Sequence, residues 1–377
     1  MIKLLFVEDD ERAIRHARSR VLEEHQDVIC DVQNFGDVED WLTKNTPDII
    51  SLDLLLGGLS GEAEVAGQEV YNLIWKSHFC PIIVYSAQPD AQETERPPHP
   101  FLRTIKKGKG SPEAFSAAVN DFRPHVDTLR DAEQQVRHEF SVAMRDLAPS
   151  VFENISDAAE RHRIVTRSGR RRLAAQMDDF SEYEGEEAKQ LAPWEHYLCP
   201  PVSDDLLLGD ILQETDSDAV KPESFRIVLT PSCDLVASGE RKPKVQNVLV
   251  AKCITMKTGL TKVAMGLDRK TRRDENRLEE YKKILKSSLS QAFIRNIVPF
   301  PKYGSHIPTM AADLRQLDLV EFSQINGDNA TFQRVASIDS PFRELISWAY
   351  MQTACRPGLP DRNIHDWCEE IVALYSN

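Results

Sequence analysis

The fold of the first part of this chain is decided by the stretch Pro47-Asp48-Ile49-Ile50-Ser51-Leu52-Asp53-Leu54-Leu55-Leu56-Gly57-Gly58. A short apolar run ends at Asp53 and gives way to two glycines. A run of this length between turn signals is typical of a buried strand in a parallel sheet. Ligands and reactive groups of such sheets gather just beyond the carboxyl ends of the strands. Asp53 is therefore the first candidate functional residue.

Other apolar runs on either side of this stretch predict four more strands, at residues 2–7, 28–35, 81–86 and 102–106. Helical spacing of apolar residues separates them, at residues 11–25, 38–42 and 65–75. Ser111 and Pro112 are typical of a helix start and predict a further helix through Phe122. Strand and helix thus alternate five times, which indicates an α/β fold with a doubly wound, parallel (βα)5 sheet.

Polar side chains follow four of the predicted strands, at the point where each strand ends. They are, in chain order, Glu8, Asp9, Asp53, Ser86, Lys106 and Lys107. Three carboxylates at one sheet edge would repel one another unless a cation lay among them, and Mg²⁺ binds one or two carboxylates together with a phosphate. A hydroxyl and an ammonium group beside them would stabilise a transferred phosphoryl group, and a carboxylate can itself accept that group.

This constellation resembles the receiver domain of bacterial two-component response regulators, over residues 1–122. The resemblance implies that Asp53 accepts a phosphoryl group from a sensor histidine kinase and that Ser86 contacts this group. It also implies that Lys107, which precedes a glycine, pairs with the phosphate, and Lys106 remains the alternative.

The metal that the resemblance implies is Mg²⁺. Its ligands would be the side chains of Glu8, Asp9 and Asp53 and the main-chain carbonyl of Leu55, and Asp10 is the less favoured member of the acidic run. In a competing interpretation the acids only cap the first helix, where their negative charge interacts favourably with the positive end of the helix dipole. A third hypothesis is a degenerate receiver that folds without being phosphorylated and serves as a protein-interaction scaffold.

Residues 123–190 are predicted to form a helical connector, with apolar residues at three- and four-residue steps as far as Leu147. Pro149 is expected to end or interrupt this helix. Residues 161–172 contain six arginines and no acid, and residues 178–187 contain six acids and no base. Such an arginine block can bind phosphate groups, although the favoured interpretation is that the two blocks face each other or water.

Residues 191–377 are predicted to form an α+β effector domain, a small barrel or curled sheet that carries helices. No basic recognition helix of a helix-turn-helix unit is apparent, so a partner-binding module is the first hypothesis. The alternative is a nuclease or hydrolase that uses Cys233, Asp234 and His306, with Cys253 as a further metal ligand. In a last helix from about Asn363, we expect Ile364, Trp367, Ile371 and Leu374 on a buried face.

The amino-acid composition indicates which partners and which cellular location to expect. The net charge of the 377 residues is -14, which argues against general affinity for nucleic acid, so nucleic acid remains a less favoured partner. The seven cysteines have irregular spacing and do not suggest a disulfide framework. No apolar run is long enough to cross a membrane, and Glu8 interrupts the first one too early for a signal peptide. We therefore expect a cytoplasmic protein without membrane contact, and a homodimer through the helical connector.

Overall fold

A computed structural model describes residues 1–54, 67, 69–75, 78–87, 89, 99–177, 190–215, 220–237, 241–327, 330–355 and 363–375. The chain divides into two compact units, Met1–Glu182 and Tyr183–Asn377. Within the described residues, no helix is both long enough and apolar enough to cross a bilayer.

The first unit alternates strands and helices. Its elements are β1 (Ile2–Val7), α1 (Glu11–Glu24), β2 (Val28–Gln33), α2 (Val38–Leu42), β3 (Ile49–Leu52), α3 (residues 69–75), β4 (Ile82–Ser86), β5 (Leu102–Lys106), α4 (Ser111–Phe152) and α5 (Ala158–Met177). The five strands form one sheet in the order β2-β1-β3-β4-β5, and every pair is parallel. The α/β class and the five parallel strands predicted from the sequence are confirmed.

Helices cover both faces of this sheet because successive residues of a strand point to opposite sides. Leu4 and Phe6 of β1 pack into a core with residues of α1 and α4. Leu5 and Val7 pack into a second core with residues of α2 and α3. All four residues of β3 are buried, as expected for a central strand between two layers.

The connector begins inside the first unit. Helix α4 runs without a break through residues 122 and 123 and through both Pro124 and Pro149, and it ends at Phe152. Pro149 was predicted to end or interrupt the helix, and the end lies three residues beyond that proline. Beyond that proline Val151 is buried, and its carbonyl accepts the Ile155 N–H at 3.0 Å, which stabilises the last turn. Helix α5 packs against α4 at Gly169, where any Cβ would collide with the Met144 side chain.

The second unit is built on an antiparallel sheet. Its elements are β6 (Tyr197–Leu198), β7 (Asp210–Glu214), β8 (Phe225–Val228), α6 (Ser232–Leu235), β9 (Asn247–Thr255), α7 (Met256–Lys262), α8 (Arg269–Arg273), α9 (Glu275–Leu289), β10 (Ile297–Phe300), β11 (Met310–Glu321), β12 (Phe332–Ile338), α10 (Phe342–Ala354) and α11 (Ile364–Ala373). The seven strands have the order β10-β11-β9-β8-β7-β12-β6. Tyr197 of one edge strand and Phe300 of the other belong to the same core cluster.

The last helix differs from the prediction. Every residue from 363 to 375 is exposed, including Ile364, Trp367, Ile371 and Leu374, for which a buried face was expected. The periodicity of the sequence identified the helix and its apolar stripe but did not show what covers that stripe.

Candidate functional site

The parallel sheet brings the ends of four strands to one edge. The Asp53 N–H donates to the Val7 carbonyl at 3.1 Å, which places the residue after β3 beside the end of β1. The Lys107 N–H donates to the Ser86 carbonyl at 2.8 Å, which places the residue after β5 beside the end of β4. The ends of β1, β3, β4 and β5 therefore lie at one edge of the sheet, as the sequence predicts.

Lys107 links two buried carboxylates. Its ammonium Nζ lies 2.6 Å from Asp53 Oδ2 and also contacts Glu8 Oε2. Glu8 and Asp53 are only 6% and 7% exposed. Lys106, the alternative candidate for the lysine that pairs with the phosphate, is exposed. Of the two lysines that the sequence leaves open, Lys107 is the one that contacts both carboxylates.

The charges of this cluster are unbalanced. Burial lowers the pKa of Lys107, but its hydrogen bonds with Asp53 and Glu8 outweigh burial and raise that pKa, so the ammonium stays charged. Burial raises the pKa of Glu8, and the hydrogen bond from Lys107 opposes this shift only in part. The three side chains of Lys107, Glu8 and Asp53 together carry a net charge of -1 when both acids are ionised. A further cation would lower the energy of the ionised site.

Ser86 contributes a hydroxyl to the same edge. It is fully buried, and its Oγ has no hydrogen-bond partner among the residues that the structure describes. A buried hydroxyl without a partner costs free energy, and such groups deserve a functional explanation. Asp53 Oδ1 accepts the Leu54 N–H at 2.7 Å, which fixes the orientation of the carboxylate. The edge therefore combines an oriented carboxylate, a compensating ammonium and a hydroxyl that can still donate.

The other acids of the first strand end lie outside this cluster. Asp9 and Asp10 are both exposed. Asp10 caps α1 by accepting the Arg12 N–H at 3.0 Å, and the Arg12 side chain lowers the pKa of this carboxyl. Asp10 thus caps the first helix, as the competing interpretation of the acidic run expected. Glu8 is instead buried against Lys107. Leu55 lies outside the described residues.

The donor set fits Mg²⁺. Two buried carboxylates contact one ammonium, Asp9 lies next to one of them, and Mg²⁺ needs only one or two carboxylates because it retains water ligands. The described part of the chain contains no ready-made group of three or more His, Cys, Asp or Glu side chains for a metal. The fit therefore rests on two carboxylates and their excess negative charge.

Two residues to which the sequence analysis gave no role at this site, Tyr85 and Ser111, support Lys107. The Tyr85 ring lies 5.5 Å from Lys107 Nζ, within the range of a cation–π contact. The Tyr85 hydroxyl is hydrogen-bonded to Ser111 Oγ at 2.8 Å, and Ser111 Oγ accepts the Gly108 N–H at 3.1 Å. The loop after Lys107 is thereby tied to β4 and α4. Tyr85 directly precedes Ser86, and this position was a signal in the sequence for a role at the site. An aromatic residue inside an apolar strand, however, has the same pattern as any residue of the core.

The residues of the predicted enzyme site in the second unit are not brought together as a metal-binding group in the structure's described segments. Cys233 is exposed, whereas Cys253 is buried in the main core and burial raises the pKa of its thiol. Asp234 is engaged by Lys244 at 2.8 Å, and this ion pair lowers the pKa of its carboxyl. His306 is exposed in a tight turn that begins at Tyr303.

The arginine block lies on α5. Arg172 pairs with Asp146 at 2.9 Å, and the Arg161 guanidinium lies 5.3 Å from the centre of the Phe152 ring. Residues 178–187, the acidic block that was expected to face these arginines or water, lie outside the described residues.

Comparisons with known proteins add no family to this geometry. No protein-family model matches the sequence, and the search of curated proteins finds no match.

Proposed function

We propose that residues 1–122 form the receiver domain of a two-component response regulator and that Asp53 accepts the phosphoryl group. The observation that supports this most strongly is the contact of Lys107 Nζ with both Glu8 and Asp53 at the carboxyl edge of the parallel sheet. An ammonium at this position can offset part of the negative charge that a phosphoryl group brings to Asp53.

In the proposed reaction, an oxygen of Asp53 attacks the phosphorus of a phosphohistidine on a sensor kinase. The new O–P bond forms as the P–N bond breaks, and the leaving imidazole keeps the electron pair and takes up a proton. Phosphorylation adds a charge of about -1.5 to -2, and Lys107 together with the Mg²⁺ ion would offset part of it. Ser86 donates its hydroxyl hydrogen to a phosphoryl oxygen.

Glu8, Asp9 and Asp53 would hold Mg²⁺, together with the main-chain carbonyl of Leu55. The metal would supply charge neutralisation between the carboxylate and the phosphoryl oxygens. The residues of this chain orient the acceptor: the Leu54 N–H fixes Asp53 Oδ1.

The second unit would be the effector, a partner-binding module whose activity depends on the phosphorylated state. Apolar side chains on the outer faces of its helices support this hypothesis, among them Trp348 and Met351 of α10. A sensor histidine kinase is the proposed partner of the first unit. Dimerisation through the helical connector, residues 123–190, remains a prediction from the sequence.

We expect the full chain, incubated with Mg²⁺ and acetyl phosphate, to gain a single phosphoryl group that is stable in acid and lost in base. The Asp53→Ala variant should gain none, because it lacks the acceptor oxygen. The measurement is intact-protein mass spectrometry, with peptide mapping of the adduct.

The matched control is Asp48→Asn, which changes the carboxylate at the opposite end of the same strand, where Asp48 pairs with Arg130 at 2.9 Å. This variant should be labelled like the wild type. Equal labelling of Asp53→Ala would remove the assignment of the acceptor. A wild type that stays unlabelled under these conditions and with several kinases would favour the degenerate scaffold.

Replacement of Lys107 should slow the labelling of Asp53 far more than replacement of Lys106. We expect Lys107→Ala to slow labelling by about 100-fold, the usual loss when one preorganised electrostatic group is removed from a reaction site. Lys106→Ala should stay close to the wild-type rate because its side chain is exposed. Initial rates of labelling at fixed phosphodonor concentration measure both, and equal rates for the two variants would contradict the role of Lys107.

A further inference from the structure

The second unit contains a cavity with a basic lining. Its volume is about 820 Å³, which lies within the range of roughly 300–1,000 Å³ that is usual for small-molecule sites. Its walls come from α7, α10, β11 and the segment between α9 and β10, and no acidic side chain occurs among the described residues that line it. The lining includes Lys262, Phe293, Arg295, Asn296, Arg315 and Gln352. We call this space the arginine cavity.

Only two of the three bases are available to a ligand. The ammonium of Lys262 lies 2.7 Å from a carboxylate oxygen of Asp313, which is 2% exposed, and this pair neutralises its charge. The guanidinium groups of Arg295 and Arg315, in contrast, have no ion-pair partner in the part of the chain that the structure describes, and both side chains are exposed. Three positive charges and one negative charge leave the cavity and Asp313 with a net charge of +2.

One buried carboxylate fixes the base of the arginine cavity. Besides the ammonium of Lys262, Asp313 accepts a side-chain N–H of Asn296 at 3.2 Å and the main-chain N–H of Arg315 at 3.1 Å. Arg315 lies where the pairing of β11 with β9 shifts register, so this bond holds an irregular piece of backbone. Arg295 directly precedes Asn296. The backbone that carries each of the two free guanidiniums is therefore tied to the same buried side chain.

Arg295 occupies a backbone position that favours glycine. It lies in a tight turn in which Ile294 and Ile297 exchange two main-chain hydrogen bonds, at 2.8 and 3.0 Å. Arg295 is the first of the two residues between them and has a φ of 55°. Glycine is the usual residue there, because a Cβ is strained in the left-handed region. Backbone strain of this kind is found at ligand sites, where it persists for the position that it gives a side chain.

The end of α10 does not account for the two arginines. The last turn of this helix borders the cavity at Gln352, and carbonyl groups at a helix C-terminus attract cations. Within the described segments, however, neither the Arg295 nor the Arg315 guanidinium donates a hydrogen bond to one of these carbonyls. A helix end also corresponds to only about half an elementary charge. Most of the positive charge of the two arginines therefore remains for a ligand.

We propose that the arginine cavity binds a mononucleotide. Two guanidiniums without counter-charges suit a phosphate group, because each planar fork can donate two parallel N–H bonds to phosphate oxygens. A phosphate ion alone would fill only a small part of about 820 Å³, so the ligand carries an organic body as well. The net charge of -14 repels a long polyanion more strongly than a single phosphate group, which favours a mononucleotide over a nucleic-acid strand.

The remaining walls suit a base. Phe293 lines the cavity and is held by the Trp348 ring, with ring centres 5.4 Å apart and the planes at 85°. An aromatic wall is a surface on which any base can stack. The Gln352 amide has no hydrogen-bond partner within the described residues, so both its donor and its acceptor can pair with the edge of a base. The proposal does not depend on phosphorylation of Asp53.

The test is isothermal titration calorimetry of the full chain with AMP, GMP, CMP and UMP in turn, in EDTA so that Mg²⁺ takes no part. At least one nucleotide should bind. Its nucleoside, which lacks the phosphate, and ribose 5-phosphate, which lacks the base, should each bind about 10-fold more weakly or less. No binding of any nucleotide, or equal affinity for either fragment, would overturn the proposal. Tighter binding of a single-stranded oligonucleotide would also overturn it and assign the arginines to nucleic acid.

Two variants place the nucleotide in the cavity. Arg295→Gln and Arg315→Gln each remove one guanidinium, and each should weaken binding about 10- to 100-fold, as expected for hydrogen bonds to a charged group. The matched control is Arg277→Gln, which removes an exposed arginine of α9 outside the cavity lining and should leave the affinity unchanged. Unchanged affinity in both cavity variants, or an equal loss in the control, would contradict this site.

Arg295→Gly separates binding from folding. Glycine suits a φ of 55°, and the relief of strain offsets the greater freedom of glycine in the unfolded chain. The melting temperature of the second unit, measured without ligand, should therefore not fall, whereas the nucleotide should bind as weakly as to Arg295→Gln. A lower melting temperature would show that the arginine stabilises the turn, and it would overturn the assignment of Arg295 to the ligand.

Discussion

Arg334→Met should destabilise the second unit by about 3–5 kcal/mol at pH 7, because it leaves a buried carboxylate without its counter-charge. Asp210 is fully buried, and Arg334 Nη1 lies 3.2 Å from Asp210 Oδ2. The same guanidinium also donates to the carbonyl oxygens of Ser203 and Asp205, which anchors the segment before β7. Chemical denaturation of the full chain, followed through the transition of the second unit, measures the loss.

The loss of stability in Arg334→Met should become smaller as the pH falls. Burial raises the pKa of Asp210, and hydrogen bonds from Ser337, Leu207 and Arg334 oppose this shift only in part. A carboxyl whose pKa is higher in the folded state binds protons more tightly there, so its contribution to stability is present at low pH and lost as pH rises through the folded value. Removal of Arg334 raises that pKa further. The deficit of the variant should therefore shrink as pH falls from 7 towards 4.

An exposed ion pair of the same sheet provides the control. Lys252 lies 3.1 Å from Asp318, and both side chains are more than two-fifths exposed. Lys252→Met should cost less than about 1 kcal/mol, as for most surface pairs. A loss in Arg334→Met no larger than in this control, or one that is independent of pH, would contradict the account of Asp210.

The parallel sheet was predictable because its strands are short apolar runs bounded by turn residues, and this pattern depends only on local sequence. The cluster of Glu8, Asp53, Ser86 and Lys107 followed from topology, since parallel strands that end in polar residues must bring those residues to one edge. The part played by Tyr85 was not predictable, because an aromatic residue in a buried strand has the same local pattern whether it supports a lysine or only fills the core.

Long-range packing explains the predictions that were wrong. Proline often ends a helix, but α4 continues past Pro149 as far as Phe152, and Val151 in this last turn is buried. The stripe of α11 was expected to be buried because sequence shows which side chains are apolar and not where their partner lies. In the second unit, the antiparallel order depends on pairings between distant strands such as β7 and β12, which no local pattern encodes.

Phe115→Ala should destabilise the first unit by about 3–5 kcal/mol, the usual cost of a large cavity in a core. Phe115 is fully buried on α4. Its ring stacks on Phe6 of β1, with centres 5.4 Å apart, and meets Tyr85 of β4 edge-on at 5.1 Å. One side chain thus joins α4 to two strands that end at the candidate site. Denaturant unfolding of the full chain measures the effect.

Phe140→Ala is the matched control, because it removes the same ring from the same helix at a position that is 51% exposed. Its cost should be within about 0.5 kcal/mol, as for most surface changes. Phe115→Ala has a second consequence, since Tyr85 contacts Lys107 and loses one of its supporting walls. Labelling of Asp53 should therefore slow in Phe115→Ala even where the protein remains folded, and it should be unchanged in Phe140→Ala. Unaltered labelling in a folded Phe115→Ala protein would show that Lys107 holds its position without Tyr85.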